Sequence, residues 1–333
     1  LSRELGAWRV AATGAISEAT MTLSLLVKSI AFEAADVVSL DLRSAEGGEL
    51  PPFTAGAHID LQLRNGLARS YSLCNPQSER HRYVIAVQKD VAGRGGSAYV
   101  HDFVRPGQVL AATAPRNDFP LVEDAEESVF FAGGIGITPV WCMVQRLQAL
   151  GRRWRLYDAV RNRARAAFLD RIAALAAPGF HLHVDDEAGG RRLDVPAAVS
   201  RAKRAQLYCC GPAPMLRAFK QVTAGLPKDR IHIEYFSARE VAAASAGFDV
   251  VLAKRNQTVR VAAGQTIIAA LRDNGIVTAH SCLEGVCGAC ETSVLDGVPE
   301  HRDLVLGEPE RALNRTMMIC CSGCKGDRLV LDL

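Results

Sequence analysis

The 333-residue chain lacks any run of about eighteen apolar residues, so no segment can cross a bilayer as a helix on its own. It also lacks charge of one sign. Thirty-nine basic against 36 acidic side chains leave a net +3, too little asymmetry for a nucleic-acid or membrane partner. Residues 1–20 have no basic segment ahead of an unbroken apolar stretch, which argues against a secretory leader. No internal repeat or low-complexity tract is present. What remains is a globular composition, 49% hydrophobic and 23% charged, and more residues than one core usually holds. Two or three domains are expected.

The ten cysteines do not form the scattered pattern of a disulfide framework. Cys282, Cys287, Cys290, Cys320, Cys321 and Cys324 all fall near the C-terminus, a clustering that points to metal ligation in the reducing cytoplasm.

Short apolar runs at 21–30, 37–42, 58–63, 83–88 and 108–112, separated by Gly, Pro and Asn, predict an antiparallel β-barrel over 21–122 after an extension at 1–20. From 123 to 237 strand-like runs (129–132, 155–160, 181–184, 207–210, 231–236) alternate with helical ones (139–150, 164–176, 213–224), which predicts an α/β unit with a parallel sheet. An Ala-rich, polar stretch at 238–247 reads as a linker. It leads to a third unit, 248–333, opening with two strands and a helix.

In that unit Cys282-Leu-Glu-Gly-Val-Cys287-Gly-Ala-Cys290 has the C-x4-C-x2-C spacing of plant-type [2Fe-2S] proteins, with a further cysteine downstream. Gly285 and Gly288 would let backbone N–H groups approach the sulfides. A zinc ribbon built from Cys287-x2-Cys290 and Cys321-x2-Cys324 fits tetrahedral spacing too. It leaves Cys282 and Cys320 idle, and zinc carries no electrons.

Three upstream motifs read as cofactor sites. In Arg69-Ser70-Tyr71-Ser72-Leu73 a guanidinium can pair with phosphate, a ring can pack on a flat cofactor and a hydroxyl can bond its edge. Gly93-Arg94-Gly95-Gly96-Ser97 precedes a short helix and offers backbone N–H groups to a phosphate. Phe131-Ala132-Gly133-Gly134-Ile135-Gly136-Ile137-Thr138-Pro139 is a strand entering a glycine turn and then a helix, the arrangement that receives a pyrophosphate, although it is not G-x-G-x-x-G. Cys209-Cys210-Gly211-Pro212 again ends a strand and starts a helix, with Cys209 facing away from Cys210.

The stretch from Asp296-Gly297 through Glu300-His301-Arg302-Asp303-Leu304-Val305-Leu306 to Met318-Ile319-Cys320 resembles the C-terminal ferredoxin domain of the phthalate dioxygenase reductase and vanillate O-demethylase reductase family. R-x-Y-S, the glycine turn, Cys-Gly-Pro and Glu234-Tyr235-Phe236 resemble the corresponding family motifs, in the same order. The resemblance implies an FMN-binding barrel, an NAD(H)-binding α/β domain and a β-grasp [2Fe-2S] domain. It implies cluster ligation by Cys282, Cys287, Cys290 and Cys320, with Cys321 and Cys324 as departures that either substitute as ligands or, as the preferred reading, are buried thiols. FMN would be held by Arg69, Ser70, Tyr71, Ser72, Val87, Lys89, Gly95, Gly96 and Ser97. The nicotinamide dinucleotide would be held by Gly133, Gly134, Gly136, Thr138, Pro139, Arg161, Gly211 and Phe236, with Cys210, Glu234, Phe236 and Ser72 beside the reacting rings.

Arg161, Arg163 and Arg165 could meet a 2′-phosphate, but Asp185-Asp186-Glu187 resembles the vanillate-type reductases, which use NADH, so NADH is expected. A nicotinamide yields two electrons and a [2Fe-2S] cluster takes one, so a flavin between them would complete a two-to-one converter. The partner implied is a Rieske-type terminal oxygenase acting on an aromatic compound; a carnitine-type oxygenase or a heme protein is the alternative acceptor.

Overall fold

The computed structural model describes residues 22–63, 67–91, 93, 95–175, 179–236, 247–280, 285, 288–303 and 305–333. The expected extension at 1–20, nearly all of the expected linker, and Arg94, Cys282 and Cys287 lie outside the described residues.

The first sheet contains β1 (Thr22–Ala34), β2 (Val37–Ser44), β3 (His58–Gln62), β4 (Ala68–Ser72), β5 (Tyr83–Gln88) and β6 (Val109–Thr113), with helix α1 (Gly96–Phe103) between the last two. Its order is β4-β3-β6-β1-β2-β5, and a bridge between Leu73 and Ile85 joins the two outer strands and closes the barrel. Strand β1 runs past its expected end because the backbone still pairs with β2 where the side-chain alternation fails, at the 78%-exposed Phe32.

The second sheet is parallel throughout, with order β11-β10-β7-β8-β9. Its elements run β7 (Glu127–Gly133), α2 (Ile137–Ala149), β8 (Arg153–Val160), α3 (Leu169–Ala173), β9 (Phe180–Val184), α4 (Val195–Ser200), β10 (Gln206–Cys210), α5 (Ala213–Thr223) and β11 (Ile231–Glu234). Val129 to Ala132 are fully buried because helices cover both faces, which is why β7 reads as a continuous apolar run. The helix expected over 164–176 is only the short α3. Phe168 takes φ +60° and packs its ring on Trp141, while Arg165 and Arg171 turn to Asp36 and Glu33 of the barrel. Helix α4 was not expected; Asp194 caps it by accepting the Ala197 N–H at 2.9 Å.

Barrel and parallel sheet share one core. Tyr208 of β10 packs edge-on to Phe119 and its hydroxyl accepts the Val122 N–H at 2.9 Å. Gln145 of α2 donates to the Cys74 carbonyl at 2.8 Å, and Arg146 forks onto Glu123.

The third unit has its own core. It comprises β12 (Phe248–Leu252), β13 (Gln257–Val261), α6 (Ile267–Asp273), β14 (Glu291–Asp296), β15 (Pro299–Glu300), α7 (Glu308–Leu313), β16 (Thr316–Met318), β17 (Gly323–Cys324) and β18 (Arg328–Leu331). A mixed sheet of order β13-β12-β18-β14-β16 packs on α6, and Thr266 caps that helix through the Ala269 N–H.

Candidate redox site

The chain starts its parallel sheet at β7, adds β8 and β9 on one side, then returns to add β10 and β11 on the other. That reversal opens a crevice beyond the carboxyl ends of β7 and β10, the place where open parallel sheets bind ligands. Strand β7 ends there in Gly133 and β10 is followed at once by Gly211. A Cβ on Gly136 would collide with the Cys210 carbonyl oxygen, and one on Gly211 would stand 3.1 Å from the Gly133 backbone, so the two turns interlock only without side chains. Gly133, Gly134, Gly136, Thr138 and Gly211 all line the cleft, and the Thr138 hydroxyl donates to the Ile135 carbonyl at 2.9 Å. Pro139 does not line it; it is buried in the first turn of α2, where its fixed φ suits the helix start.

The barrel supplies the facing wall. Arg69 to Ser72 lie on β4 itself. The Tyr71 and Ser72 hydroxyl oxygens are buried without a hydrogen-bond partner among the described residues, as expected of groups aimed at a ligand. Burial pushes the Tyr71 phenol up to about 12, so it stays a neutral donor. Gly95, at φ +81°, begins α1, and a Cβ on Gly96 would stand 2.6 Å from Arg69 Nε. The guanidinium and the helix start therefore converge, as a phosphate requires. Ser97 Oγ accepts the Asp90 N–H at 3.0 Å, which leaves its proton to donate. Lys89 lines the rim but pairs with Asp102 at 2.6 Å, and Val87, also on the wall, accepts the His101 Nε2 bond through its carbonyl at 2.9 Å.

Where the walls meet, Glu234 and Phe236 line the cleft. The Glu234 Oε2 is buried without a partner among the described residues, and burial, with Asp118 nearby, pushes this carboxyl up to about 8. Cys210 is not on the wall. It is fully buried behind it, and burial with Glu234 and Cys209 holds its thiol well above the ordinary range. Cys209 packs into the core on the opposite sheet face. Arg161 lines the far end of the cleft.

A polar network behind β4 escaped the sequence reading. Asp60, only 6% exposed, accepts the Ser70 hydroxyl at 2.6 Å and Arg116 Nη2 at 2.9 Å. Arg116 also contacts His58 Nε2 at 3.2 Å, and His58 stands 3.9 Å from Asp118. The available signal was His58 and Asp60 alternating with the apolar Ile59 and Leu61, so that two polar residues share the strand face opposite the core.

The third unit closes the same cleft, of about 1490 Å³, with Arg302, Cys320, Cys321 and Ser322. Cys290 and Cys320 are buried, and the Ile319 N–H reaches the Cys290 carbonyl at 3.5 Å, so the two predicted ligands within the described residues are neighbours. Gly285, at φ +72°, abuts Cys321 Sγ, which would meet any Cβ there. The Cys321 thiol sits within 3.7 Å of the Met318 carbonyl, and Cys324 turns to the Arg328 carbonyl at 3.4 Å. Both thiols are thus engaged locally. No cysteine among the described residues is in a disulfide. The donor set fits a thiolate-held cluster, and the orphaned Tyr71, Ser72 and Glu234 atoms fit a flavin and a nicotinamide.

Residues 130–221 match the model of an oxidoreductase NAD-binding domain and residues 250–325 that of a 2Fe-2S iron-sulfur cluster binding domain. The latter match favours the cluster over a zinc ribbon. The chain is 51% identical to phenoxybenzoate dioxygenase subunit beta of Ectopseudomonas oleovorans, covering 95% of this chain and 99% of that one. It is 50% identical to tetrachlorobenzoquinone reductase of Sphingobium chlorophenolicum, covering 94% and 98%. Among solved structures it matches phthalate dioxygenase reductase with a TM-score of 0.76 and 36% identity, covering 94% and 98%. It also matches an intact type IV self-sufficient cytochrome P450 monooxygenase with a TM-score of 0.78 and 40% identity, there spanning 43% of the longer chain. The chain therefore belongs to the phthalate dioxygenase reductase family, and as a member is an NADH-dependent oxidoreductase of FMN and a [2Fe-2S] cluster that serves as a reductase component.

Proposed function

We propose that the chain passes electrons from NADH to a separate Rieske-type terminal oxygenase acting on an aromatic compound, with 21–122 as the FMN domain, 123–237 as the NADH domain and 248–333 as the cluster domain. The observation that carries this reading is the single cleft lined by Tyr71, Glu234 and Cys320, one from each sheet unit. Bound there, a flavin would supply the conversion between the hydride of NADH and the single electrons that a [2Fe-2S] cluster carries. The glycine turn at 133–136 and the start of α2 hold the pyrophosphate, and Gly211 leaves room for the nicotinamide end. Arg69 and the N–H groups at Gly95, Gly96 and Ser97 hold the FMN phosphate. Tyr71 and Phe236 would hold the flavin ring, and the Ser72 hydroxyl and the Glu234 carboxyl would hydrogen-bond to it or to the nicotinamide carboxamide. Cys210 packs behind the nicotinamide and fixes the wall there. Cys320, on the cleft wall, would hold the cluster together with Cys282, Cys287 and Cys290. Orientation is the protein's main contribution, because hydride transfer needs no general acid or base.

Among the described residues no helix is long and apolar enough to cross a membrane. The thiol-rich cluster unit supports the reducing cytoplasm as the compartment.

Iron, sulfide, zinc and flavin analysis with an absorption spectrum tests the reading. The expected protein is red-brown, with bands that bleach on adding NADH under argon. Cys320→Ser should abolish transfer to the oxygenase while NADH still reduces the flavin; stoichiometric zinc, or equal loss of both activities, refutes the relay. The match to a self-sufficient P450 favours a heme acceptor as second reading, and turnover with each purified acceptor separates the two.

A further inference from the structure

The loop that carries Cys282, Cys287 and Cys290 and the segment that carries Cys320 are distant in sequence, so a third segment has to hold them in register. Asp303 begins that segment. A Cβ on Gly285, at φ +72°, would stand 3.0 Å from Asp303 Cα and would also meet Cys321 Sγ. A Cβ on Gly288, at φ +77°, would stand 3.7 Å from Val305 Cγ1. The turn that starts at Asp303 therefore touches the three-cysteine loop at both of its glycines. Asp303 is itself 1% exposed. Its Oδ2 accepts the Val305 and Leu306 N–H groups at 3.1 and 2.7 Å, which fixes the turn. Its Oδ1 accepts the Ser322 hydroxyl at 3.5 Å, and Ser322 Oγ accepts the Arg302 N–H at 3.2 Å. Ser322 follows shortly after Cys320, and its own N–H donates to the Met318 carbonyl at 2.9 Å. One carboxylate thus joins the turn beside the three-cysteine loop to the turn that carries Cys320.

An Asp often caps a short turn, and that role alone accounts for the two backbone bonds. It does not account for the burial of the carboxylate or for its cation. Arg311 of α7 donates to the Asp303 carbonyl oxygen and brings Nη2 within 3.7 Å of Oδ2, with its side chain 29% exposed. A buried ion pair costs so much to desolvate that an apolar pair of the same shape is often as stable, which points to the field of the pair rather than to stability as its use. Charges in a low-dielectric interior act on a neighbouring change of charge more strongly than charges in water do. The reduction potential of an iron–sulfur cluster responds to just such surroundings, and the residues that orient its ligand loop act on it too.

We propose that Asp303 and Arg311 are the positioning pair of the cluster pocket: Asp303 holds the three-cysteine loop in register with the Cys320 turn, and the two opposite charges tune the reduction potential of the cluster bound there. The inference rests on reading this unit as the cluster domain. It is tested on the holoprotein by iron and sulfide content and by dye-coupled redox titration of the cluster, with the FMN midpoint followed in the same titration as internal reference. Asp303→Asn, which keeps the shape and removes the charge, should move the cluster midpoint to less negative values, because a nearby negative charge opposes the arrival of an electron. Arg311→Gln should move it the opposite way, and Arg311→Lys, which keeps the charge, should stay close to wild type. The FMN midpoint should not move in any of the three. Asp303→Ala, which also removes the acceptor of the turn, should lower the iron content. Opposite shifts from the two members of one pair are the signature, since a merely loosened pocket would drive both variants the same way. Unmoved cluster midpoints at full iron content, or shifts of the same sign, overturn the assignment. Should Asp303→Asn fail to hold iron, Arg311→Gln and Arg311→Lys decide alone, and equal midpoints in those two overturn it. A wild type without iron overturns the cluster reading, and this assignment with it.

Discussion

On the parallel-sheet side of the cleft the ligand surface is mostly backbone, at Gly133, Gly134, Gly136 and Gly211, whereas on the barrel side it is side chains, Arg69, Tyr71 and Ser72. The backbone wall works by what it omits. Gly136 and Cys210 are so close that any side chain separates β7 from β10, and the crevice closes or shifts. The side-chain wall works by what supports it, since the Ser70 hydroxyl bonds to Asp60, which pairs with Arg116, itself in contact with His58. One wall should fail at a single added atom, and the other through loss of a remote partner.

The sharpest break should come from Gly136→Val. Overpacking costs about 1–3 kcal/mol, and the pyrophosphate position is lost with it, so NADH reduction should be abolished while FMN stays bound. Stopped-flow bleaching together with flavin content measures both. A variant that still bleaches at the wild-type rate would show that the interlocked turns are not the binding surface.

Arg116→Ala tests the other wall from behind. It takes the Arg116 cation from Asp60, 6% exposed, and removing one partner of a buried pair costs about 3–5 kcal/mol, less here because Arg116 is partly exposed. Denaturation should show a loss of about 2–3 kcal/mol, and FMN should dissociate more readily as Ser70 and β4 loosen. Unchanged FMN affinity would separate the network from the site.

How much of this was legible depends on how local each feature is. R-x-Y-S, the glycine turn, Cys-Gly-Pro and the C-x4-C-x2-C loop are contiguous stretches whose geometry is set by neighbours in sequence, and each described part of them reaches the cleft or lies behind its wall. The barrel, the parallel sheet and the third unit followed from strand spacing and alternation in the same way. The network of His58, Asp60, Ser70, Arg116 and Asp118 was not legible, because it exists only once barrel closure and the shared core bring distant residues together. The helix expected over 164–176 failed for a related reason: local propensity favoured it, but the pairs of Arg165 and Arg171 with the barrel and the buried Phe168 ring decided the backbone.

Two acids of the parallel sheet refine the contrast. Glu234 ends β11 with an orphaned oxygen on the cleft, whereas Asp158, in the middle of the sheet on β8, is buried with neither oxygen bonded among the described residues and does not line it. Burial alone pushes Asp158 up to about 7, and burial with Asp118 pushes Glu234 up to about 8. In both cases the folded chain keeps a proton that the unfolded chain has released, from pH 3.8 to about 7 for Asp158 and from pH 4.5 to about 8 for Glu234. Stability should therefore fall as pH rises through these windows. Asp158→Asn and Glu234→Gln should each flatten that fall, gaining on the order of 1 kcal/mol relative to wild type above pH 8 in thermal melts. Only Glu234→Gln should also slow reduction by NADH, about tenfold, because only that carboxyl helps to orient the reacting rings. Equal slowing by Asp158→Asn would mean that the cleft senses charge anywhere in the sheet, and the distinction between a wall of backbone and a wall of side chains would lose its force.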